Sequence, residues 1–519
     1  MTGRKIPKFP KRLNFPKPNT PNHQPTTFEE LHQSALEDEE SGDRFKLSDL
    51  LKSLRFYNSS YEKYLKAQSL KPTDIDNLYN LHCLVFNVWE LYKNGNFSIV
   101  ELGEDLQTFQ VLRFGIVDIK KMYDMNVFKL LNEYSDKDKF VKVSDFCFNL
   151  IVVNMEVLES GDNEEESAQM DIVNDCLRLF ELILNFQSVE VESFINDVKT
   201  GINSNSDINC DDEGSAKEGE KIEYETVDQV TPDTVLDTLA QAYKLMAIFL
   251  GNSKDIKELK EERARFIAEF KTKIDTIASG LFDACSNGVY QLNEDVLNEI
   301  KIQEHLISSL MSSYDYDSIL ASWDSFTLSG NYSWKLAFVD NLTTFMELNQ
   351  QDPGMDRVAI LNKSNELFRD VENTLKSKLK PDPTTTKTTA TAQTNASLSQ
   401  SLDISDHLIK LVECLLNRSD NELTKFQITN NQVNITNCSN ILKTALNYLN
   451  SINCGLRETM VNKLIKRQLK RQIWVRLIIL EEKFINLDKI KAKIGERFCA
   501  EDLRILESNT DVYISMFSN

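Results

Sequence analysis

The sequence contains little glycine and proline, with 16 and 11 residues in a chain of 519. Because several of the prolines fall within the first 25 residues, the remainder has few residues that punctuate turns. This scarcity favours helices over sheets. Long apolar runs are also lacking: the best, Ile473–Leu480, is interrupted by Arg476 and is far shorter than the roughly 18 residues of a membrane span. We therefore expect no insertion into a membrane.

Paired cysteines are absent. The nine cysteines occur singly, none forms a Cys-x-x-Cys pair, and their number is odd. Disulfide frameworks use paired cysteines, so this usage is typical of a reducing compartment. The N-terminus also lacks the apolar core of a secretory signal. We expect a protein of the cytoplasm, the nucleus or both.

The common catalytic motifs are missing. The sequence has no phosphate-binding loop of the Gly-x-x-x-x-Gly-Lys type, no Gly-x-Gly-x-x-Gly, no His-Glu-x-x-His and no Gly-x-Ser-x-Gly. Its five histidines are far apart and lack the spacing of metal ligands. We expect a non-enzymatic protein without a cofactor, a metal or a small-molecule substrate. Cysteine and histidine side chains distant in sequence could still meet in the fold, so a hidden nucleophile stays open as an alternative.

Acidic residues outnumber basic ones. The chain has 80 Asp and Glu against 59 Lys and Arg, which gives a net charge of −21. A negative field repels nucleic acids and anionic membrane surfaces and attracts basic proteins, so we do not expect direct nucleic-acid binding. The alternative is that the acidity only keeps the protein dispersed in solution.

Residues Met1–Thr27 form a basic, proline-rich arm without any acidic residue before its end. Its prolines oppose helix and favour polyproline II, and the composition predicts disorder. The arm is either a nuclear-import or docking tail or a terminus that aids solubility. Its charged residues and early prolines are Arg4, Lys5, Lys8, Lys11, Arg12, Lys17, Pro7, Pro10, Pro16 and Pro18.

From Phe28 onward, apolar residues recur every three or four positions, which predicts amphipathic helices. The segment Ser41–Asp43 predicts a turn after the first helix. A second helix is predicted to end before Pro72, because proline disfavours the helical conformation of its predecessor. A third helix is predicted from about Asp74 to Tyr92.

One short pattern occurs twice. Asp76–Leu81 and Asp145–Leu150 share an aspartate, an aromatic residue, an asparagine and a leucine at equivalent positions. The two copies lie 69 residues apart, close to twice a repeat period of about 34 residues. Each copy opens an apolar run with helical spacing, so the pattern predicts stacked helix pairs.

The second predicted helix has small, aromatic, small and proline residues in a distinctive order: Ser60, Tyr64, Ala67 and Pro72. This order resembles the second helix of a tetratricopeptide repeat, and the resemblance is clearest over Phe45–Leu158. Ser48 and His82 depart from the family, which has glycine at those positions. The resemblance implies an all-α, tetratricopeptide-like (TPR-like) helical-repeat solenoid over residues 28–379.

Three further segments resemble a group of fungal tetratricopeptide-domain proteins. They are a Ser-Gly-Asp-Arg turn at Ser41–Arg44, an Arg-Phe-Tyr helix at Arg55–Tyr57 and a later segment at Val230–Thr238. This second resemblance informs the fold rather than the function.

The composition predicts two breaks in the helical pattern. Residues 203–228 are acidic and poor in apolar residues, which predicts a disordered insert. A helix is predicted to follow, with Thr231 as its cap and Pro232 in its first turn. Residues 380–400 are rich in threonine and predict a linker to a C-terminal helical region, 401–519. A long loop within one solenoid is the alternative.

The resemblance also implies a partner-binding groove, because the first helix of each tetratricopeptide repeat faces the ligand. Asn80 and Asn149 fall where some family members hold a peptide carboxylate, but the accompanying basic residues are not in register. The alternative is that Tyr79 and Phe148 simply belong to the core. The candidate groove residues are Asp76, Tyr79, Asn80, Cys83, Phe86, Phe148, Asn149, Val152 and Met155.

A basic stretch near the C-terminus is the sharpest local charge feature. Helical spacing places most of its residues on one face, which predicts a contact with an acidic partner or with the acidic insert, or a nucleic-acid contact. The alternative is a solvated face on a long surface helix. This basic face consists of Lys463, Lys466, Arg467, Lys470 and Arg471.

These observations together predict a non-enzymatic, protein-binding adaptor. The leading hypothesis is an assembly factor or chaperone for a basic client of the ribosomal-protein or histone type, because an acidic segment beside a helical groove can shield such a client. The alternative is a scaffold subunit of a stable multiprotein complex, which would expose a large apolar patch.

Overall fold

The computed structural model describes residues 25–94, 97–103, 105–133, 137–160, 166–200, 230–286, 289–350, 352–379, 393–452 and 458–509. Throughout these residues every regular element is helical and no strand occurs, which confirms the all-α class. Most of the predicted arm (Met1–Thr27) and all of the predicted insert (203–228) lie outside the described residues. The predicted linker (380–400) is described only from Gln393, where a helix begins.

The N-terminal helices are α1 (Phe28–Phe45), α2 (Leu50–Leu70) and α3 (Ile75–Tyr92), followed by short 3-10 turns at Ile99–Leu102, Asp105–Thr108 and Gln110–Arg113. The predicted end of the second helix is confirmed, since α2 ends at Leu70 with Lys71 as its C-cap. The predicted third helix is also confirmed, because the side chain of Asp74 caps α3 by accepting from the amide of Asn77.

The predicted turn at Ser41–Asp43 is wrong, because α1 continues through it to Phe45. Gly42 serves helix packing rather than chain reversal. A β-carbon at this position would lie 2.4 Å from Cε1 of Tyr57, so only glycine lets α2 approach α1 here. The Ser53 hydroxyl donates to the Gly42 carbonyl at 2.8 Å and fixes the same contact.

The middle of the chain forms α4 (Ile116–Glu133), α5 (Lys137–Ser160), α6 (Glu166–Thr200), α7 (Pro232–Gly251), α8 (Ile256–Glu258), α9 (Ala264–Cys285) and α10 (Glu294–Ser312). The predicted start of the helix after the insert is confirmed. Thr231 caps α7 through a capping box with Thr234, and Pro232 occupies its first turn. A π-helical turn, Leu259–Arg263, joins α8 to α9.

The C-terminal helices are α11 (Tyr316–Asp324), α12 (Ser333–Leu348), α13 (Arg357–Lys378), α14 (Gln393–Thr429), α15 (Gln432–Ser451), α16 (Met460–Glu482), α17 (Leu487–Ile494) and α18 (Glu496–Asn509). The turn between α14 and α15 uses Asn430 in the left-handed region, with φ of 53°, a conformation that asparagine adopts more readily than most residues.

The chain divides into two compact units. The central unit contains Lys120–Ser312, and the terminal unit contains Thr26–Ile119 and Ser313–Asn519 from the two ends of the chain. These units do not coincide with the predicted division at 380–400. The predicted helical-repeat domain, 28–379, contributes residues to both, because contacts between distant segments define the units.

Helices pack mainly against their neighbours in sequence. In the terminal unit α2 lies between α1 and α3, and each helix from α11 to α16 contacts the next. In the central unit α6 packs against α5, α7 and α9, while α7 also contacts α10. The packed positions are apolar residues with helical spacing, such as Leu236, Leu239 and Tyr243 of α7, which are almost fully buried.

Candidate functional site

The repeated pattern has the same arrangement of burial in both copies. Asp76–Leu81 and Asp145–Leu150 each follow the order exposed, buried, buried, half-buried, half-buried, buried. The two equivalent half-buried pairs are Tyr79 with Asn80 and Phe148 with Asn149. Equivalent residues therefore stand in equivalent surroundings on two different helices.

The candidate groove residues divide by unit. On α3, which belongs to the terminal unit, Asp76 is exposed, Tyr79, Asn80 and Cys83 are half-buried, and Phe86 is buried. On α5, which belongs to the central unit, the half-buried residues are Phe148 and Asn149, and the buried residues are Val152 and Met155. The two sets therefore form two short half-buried stripes in separate units, and their role in partner binding stays a prediction.

The predicted basic face lies on α16, and much of it is neutralised by the chain's own residues. Lys466 pairs with Glu458 at 2.5 Å, and Arg467 pairs with Glu101 at 3.2 Å. Lys470 donates to the side-chain oxygen of Asn450 at 2.7 Å. The basic face is therefore neither a cationic surface without partners nor a simply solvated surface.

Arg471 is the buried member of this face. Its Nε donates to Oδ2 of Asp502 at 2.9 Å, and its Nη1 donates to Glu101, the carboxylate that Arg467 also reaches. The guanidinium lies 4.1 Å from the centroid of the Phe498 ring. Glu101 precedes Arg471 by 370 residues, so spacing along the chain could not have indicated this pairing.

Three C-terminal helices share a buried polar network that the sequence analysis missed. Glu422 of α14 accepts from Asn365 of α13 at 2.7 Å and from Asn437 of α15 at 3.0 Å. Lys425 pairs with the same carboxylate and also donates to Asn362 at 3.0 Å. A satisfied network of this kind fixes the register of packed helices more than it adds stability.

No constellation for chemistry emerges from the part of the chain that the structure describes. Those residues contain no group of three or more His, Cys, Asp and Glu that could hold a metal ion. A shallow cleft on α1 and α2 has charged walls, but Lys63 pairs with Asp38 at 2.7 Å and Lys52 lies over the ring of Phe45. His82 is buried and contacts the Leu78 carbonyl, as in a core histidine.

Within the described ranges, no helix is both long enough and apolar enough to cross a membrane.

The net charge is concentrated in one part of the chain. Residues 120–312 contain 39 Asp and Glu against 19 Lys and Arg, whereas the rest of the chain contains 41 against 40. The central unit together with the segments inside it therefore carries nearly all of the net charge of −21. Six of these 40 basic residues lie in residues 1–25, so the terminal unit alone contains 41 Asp and Glu against 34 Lys and Arg.

Comparison with known proteins gives two resemblances. Residues 333–503 match the family model described as the YNL193W C-terminal domain. The chain is also similar to Uncharacterized protein YNL193W of Saccharomyces cerevisiae, with 23% identity over 520 residues that cover 88% of this chain and 90% of that protein. No solved structure matches the chain at a significant level. The relative is a fungal protein, in line with the fungal resemblance of the sequence, and the matched model begins at α12 and ends within α18.

Proposed function

We propose that this chain is a non-enzymatic protein-binding adaptor, an assembly factor or chaperone for a basic client of the ribosomal-protein or histone type. The observation that carries the proposal is the segregation of charge. Residues 120–312 hold a twofold excess of acidic over basic residues, while the remainder is balanced. A region with such an acidic excess, nine of whose acidic residues lie in the segment 203–228, attracts a basic protein over long range and repels nucleic acid.

The helix packing supports a tetratricopeptide-like arrangement as part of this proposal. The small and aromatic residues behind the resemblance lie at helix contacts: Ser60 and Ala67 are fully buried, and the Ser60 hydroxyl donates to the Ala35 carbonyl at 2.8 Å. Small residues at these positions let α2 pack closely between its neighbours. A repeat array would leave half-buried stripes such as Tyr79 and Asn80 available to a partner.

Binding of purified core histones to the full-length chain tests the proposal directly. A client held by long-range charge should bind at about 0.1 M salt and lose most of its affinity near 1 M, where the screening length falls from about 10 Å to about 3 Å. A triple reversal of exposed central-unit acids, Asp171→Lys, Glu261→Lys and Glu262→Lys, should weaken binding at low salt.

The matched control reverses three exposed acids of the terminal unit, Asp317→Lys, Asp324→Lys and Glu481→Lys. Both variants change the net charge equally. If the two variants weaken binding to the same extent, net charge alone governs the interaction and the central unit has no special role. The chaperone hypothesis would be refuted if neither core histones nor purified basic ribosomal proteins bind at low salt.

The alternative proposal, a scaffold subunit of a stable complex, is favoured by exposed apolar residues in the C-terminal region. These residues flank the turns α14–α15 and α16–α17: Ile428, Val433, Phe484 and Leu487. Large exposed apolar side chains that cluster on a surface are typical of protein interfaces. A scaffold should retain the same set of partners from cell extract at low and high salt, and Val433→Ser with Phe484→Ser should release them.

A further inference from the structure

The outer face of α6 carries an exposed apolar pair. The helix is covered by α5, α7 and α9 along its buried side, where Ile172, Phe180 and Ile183 pack. On the opposite side Leu182 is 38% exposed and Val189 is 57% exposed. Seven residues separate them, so they lie two turns apart on one face, about 10.5 Å along the helix.

Carboxylates flank this pair without cationic partners of their own. Asp171, Glu190 and Glu192 are exposed, and no ion pair of the described residues involves them. Glu181 on the same side is already paired with Lys273 at 2.8 Å, and the exposed Arg178 lies on the face itself, one turn before Leu182. The face therefore combines an apolar centre with an excess of negative charge at its edges. Such a surface suits a segment that alternates basic and apolar residues.

The N-terminal arm has that alternation with a period of three. Ile6, Phe9 and Phe15 fall at a spacing of three that is interrupted by Arg12. Lys5, Lys8, Lys11 and Lys17 fall one position before that spacing, which is interrupted by Asn14. Polyproline II has three residues per turn and rises about 9 Å per turn. In that conformation Ile6 and Phe9 would lie one turn apart on one edge of the helix, and the lysines would lie on the next edge. The distance of about 9 Å between Ile6 and Phe9 would be close to the distance of about 10.5 Å between Leu182 and Val189.

We propose that residues 1–24 dock on the outer face of α6, with Ile6 and Phe9 over Leu182 and Val189 and with the lysines beside Glu190 and Glu192. The segment fits the face in charge and in apolar spacing. Because the face belongs to the acidic central unit, the docked arm competes with a basic client, and this second step rests on the proposed function.

Trypsin cleavage of the arm in the full-length chain tests docking without any client. Docking protects the bonds after Lys8 and Arg12, and cleavage tracks the undocked population. The variant Leu182→Ser with Val189→Ser should be cleaved in the arm several times faster than the wild type, as measured by intact mass. Met125→Ser removes an apolar side chain from another exposed position of the central unit and should leave the rate unchanged.

The double variant Glu190→Lys with Glu192→Lys tests the charged edge of the face. The double variant Glu261→Lys with Glu262→Lys changes the net charge by the same amount elsewhere and is the control. Only the first pair should accelerate arm cleavage, and circular dichroism should show the same helix content in all variants. Equal cleavage rates in wild type and both α6 variants would overturn the proposal, whatever the outcome of the histone experiment. If docking is confirmed but histones do not bind, the arm contact stands and the client proposal fails. If both are confirmed, deleting residues 1–24 should tighten histone binding.

Discussion

Gly42 shows how a single residue without a side chain sets the distance between two helices. The Tyr57 ring occupies the space that a β-carbon would need, and the Tyr57 hydroxyl donates to Asp43 at 2.8 Å. The two segments that resemble the fungal group, Ser41–Arg44 and Arg55–Tyr57, thus meet at this contact. Sequence reasoning assigned Gly42 to a turn because glycine is a local indicator of turns, whereas its partner here lies 15 residues further along the chain.

Gly42→Ala should destabilise the terminal unit by about 1–3 kcal/mol through overpacking, although alanine favours helix by about 1 kcal/mol over glycine. Gly280→Ala is the matched control, because Gly280 lies within α9 and a β-carbon there would contact nothing. That control should stabilise the protein by up to about 1 kcal/mol. Chemical denaturation followed by circular dichroism measures both changes, and a stabilising Gly42→Ala would contradict the close approach.

Glu39 introduces a pH dependence into the same helix pair. The side chain is buried, and burial raises the pKa of its carboxyl from 4.5 to about 8, although Tyr64 donates a hydrogen bond to it and Lys46 lies nearby. The folded state therefore keeps a proton that the unfolded chain releases above about pH 4.5. Stability contributed by this group is full below that pH and is lost as the pH rises towards 8.

Glu39→Gln should remove this dependence, because the amide stays neutral and its oxygen can still accept from Tyr64. The free energy of unfolding of the wild type relative to Glu39→Gln should fall with rising pH by up to about 1.4 kcal/mol per pH unit between roughly pH 5 and pH 8. Glu37→Gln, at an exposed carboxyl of the same helix, is the matched control for the substitution itself. A flat difference for Glu39→Gln would show that Glu39 is ionised in the folded protein.

At the scale of elements, the π-helical turn Leu259–Arg263 allows one buried arginine to bind three segments. Arg263 donates from Nε to Glu258 at 2.6 Å, from Nη1 to the carbonyl of Phe249 at 2.6 Å, and from Nη2 to Gln169 at 3.1 Å. Phe249 lies in the last turn of α7, where carbonyls lack helical partners. The guanidinium thus caps α7, closes the turn and reaches α6.

Arg263→Met should cost about 3–5 kcal/mol, because it leaves the buried Glu258 without its charge partner. Adding Glu258→Gln should recover part of the loss. Arg265→Met changes an exposed arginine two residues further along and should cost less than about 0.5 kcal/mol. Hydrogen exchange should report faster opening at the end of α7 and in α9 for Arg263→Met alone. Unchanged exchange there would show that the turn does not depend on this arginine.

Several helix ends were predictable from the sequence, and their reasons are local. Pro72 limits α2, Asp74 caps α3, and Thr231 with Pro232 starts α7, each through contacts within four residues. The apolar and charged spacing over Lys254–Ile277 is that of one amphipathic helix, but the structure has a π-helical turn within it, because the contacts of Arg263 reach as far as 94 residues away. Apolar periodicity indicates which side of a helix is buried, but it does not indicate which element covers that side.

At the scale of the molecule, the terminal unit is assembled from both ends of the chain. The amide of Met460 donates to the carbonyl of Leu47 at 2.9 Å, and Glu101 binds two arginines of α16. The sequence indicated that α16 is basic and helical, but it did not indicate that Glu101 and Asp502 form ion pairs with the arginines of this helix. For the candidate groove, the two copies of the short pattern have the same order of burial, whereas the assignment of each copy to a different unit depends on long-range contacts.

The two arginines that share Glu101 allow a test of how the ends are held together. Arg471 is 10% exposed and also binds Asp502, whereas Arg467 is 61% exposed. Arg471→Met removes the buried guanidinium that Glu101 and Asp502 share and should destabilise the terminal unit by about 3–5 kcal/mol. Arg467→Met removes a solvent-screened pair and should cost less than about 1 kcal/mol. All four tryptophans (Trp89, Trp323, Trp334 and Trp474) lie in the terminal unit, so their fluorescence during denaturation measures this loss. Equal effects of the two substitutions would mean that Glu101 acts only as a surface charge and that other contacts join the two ends.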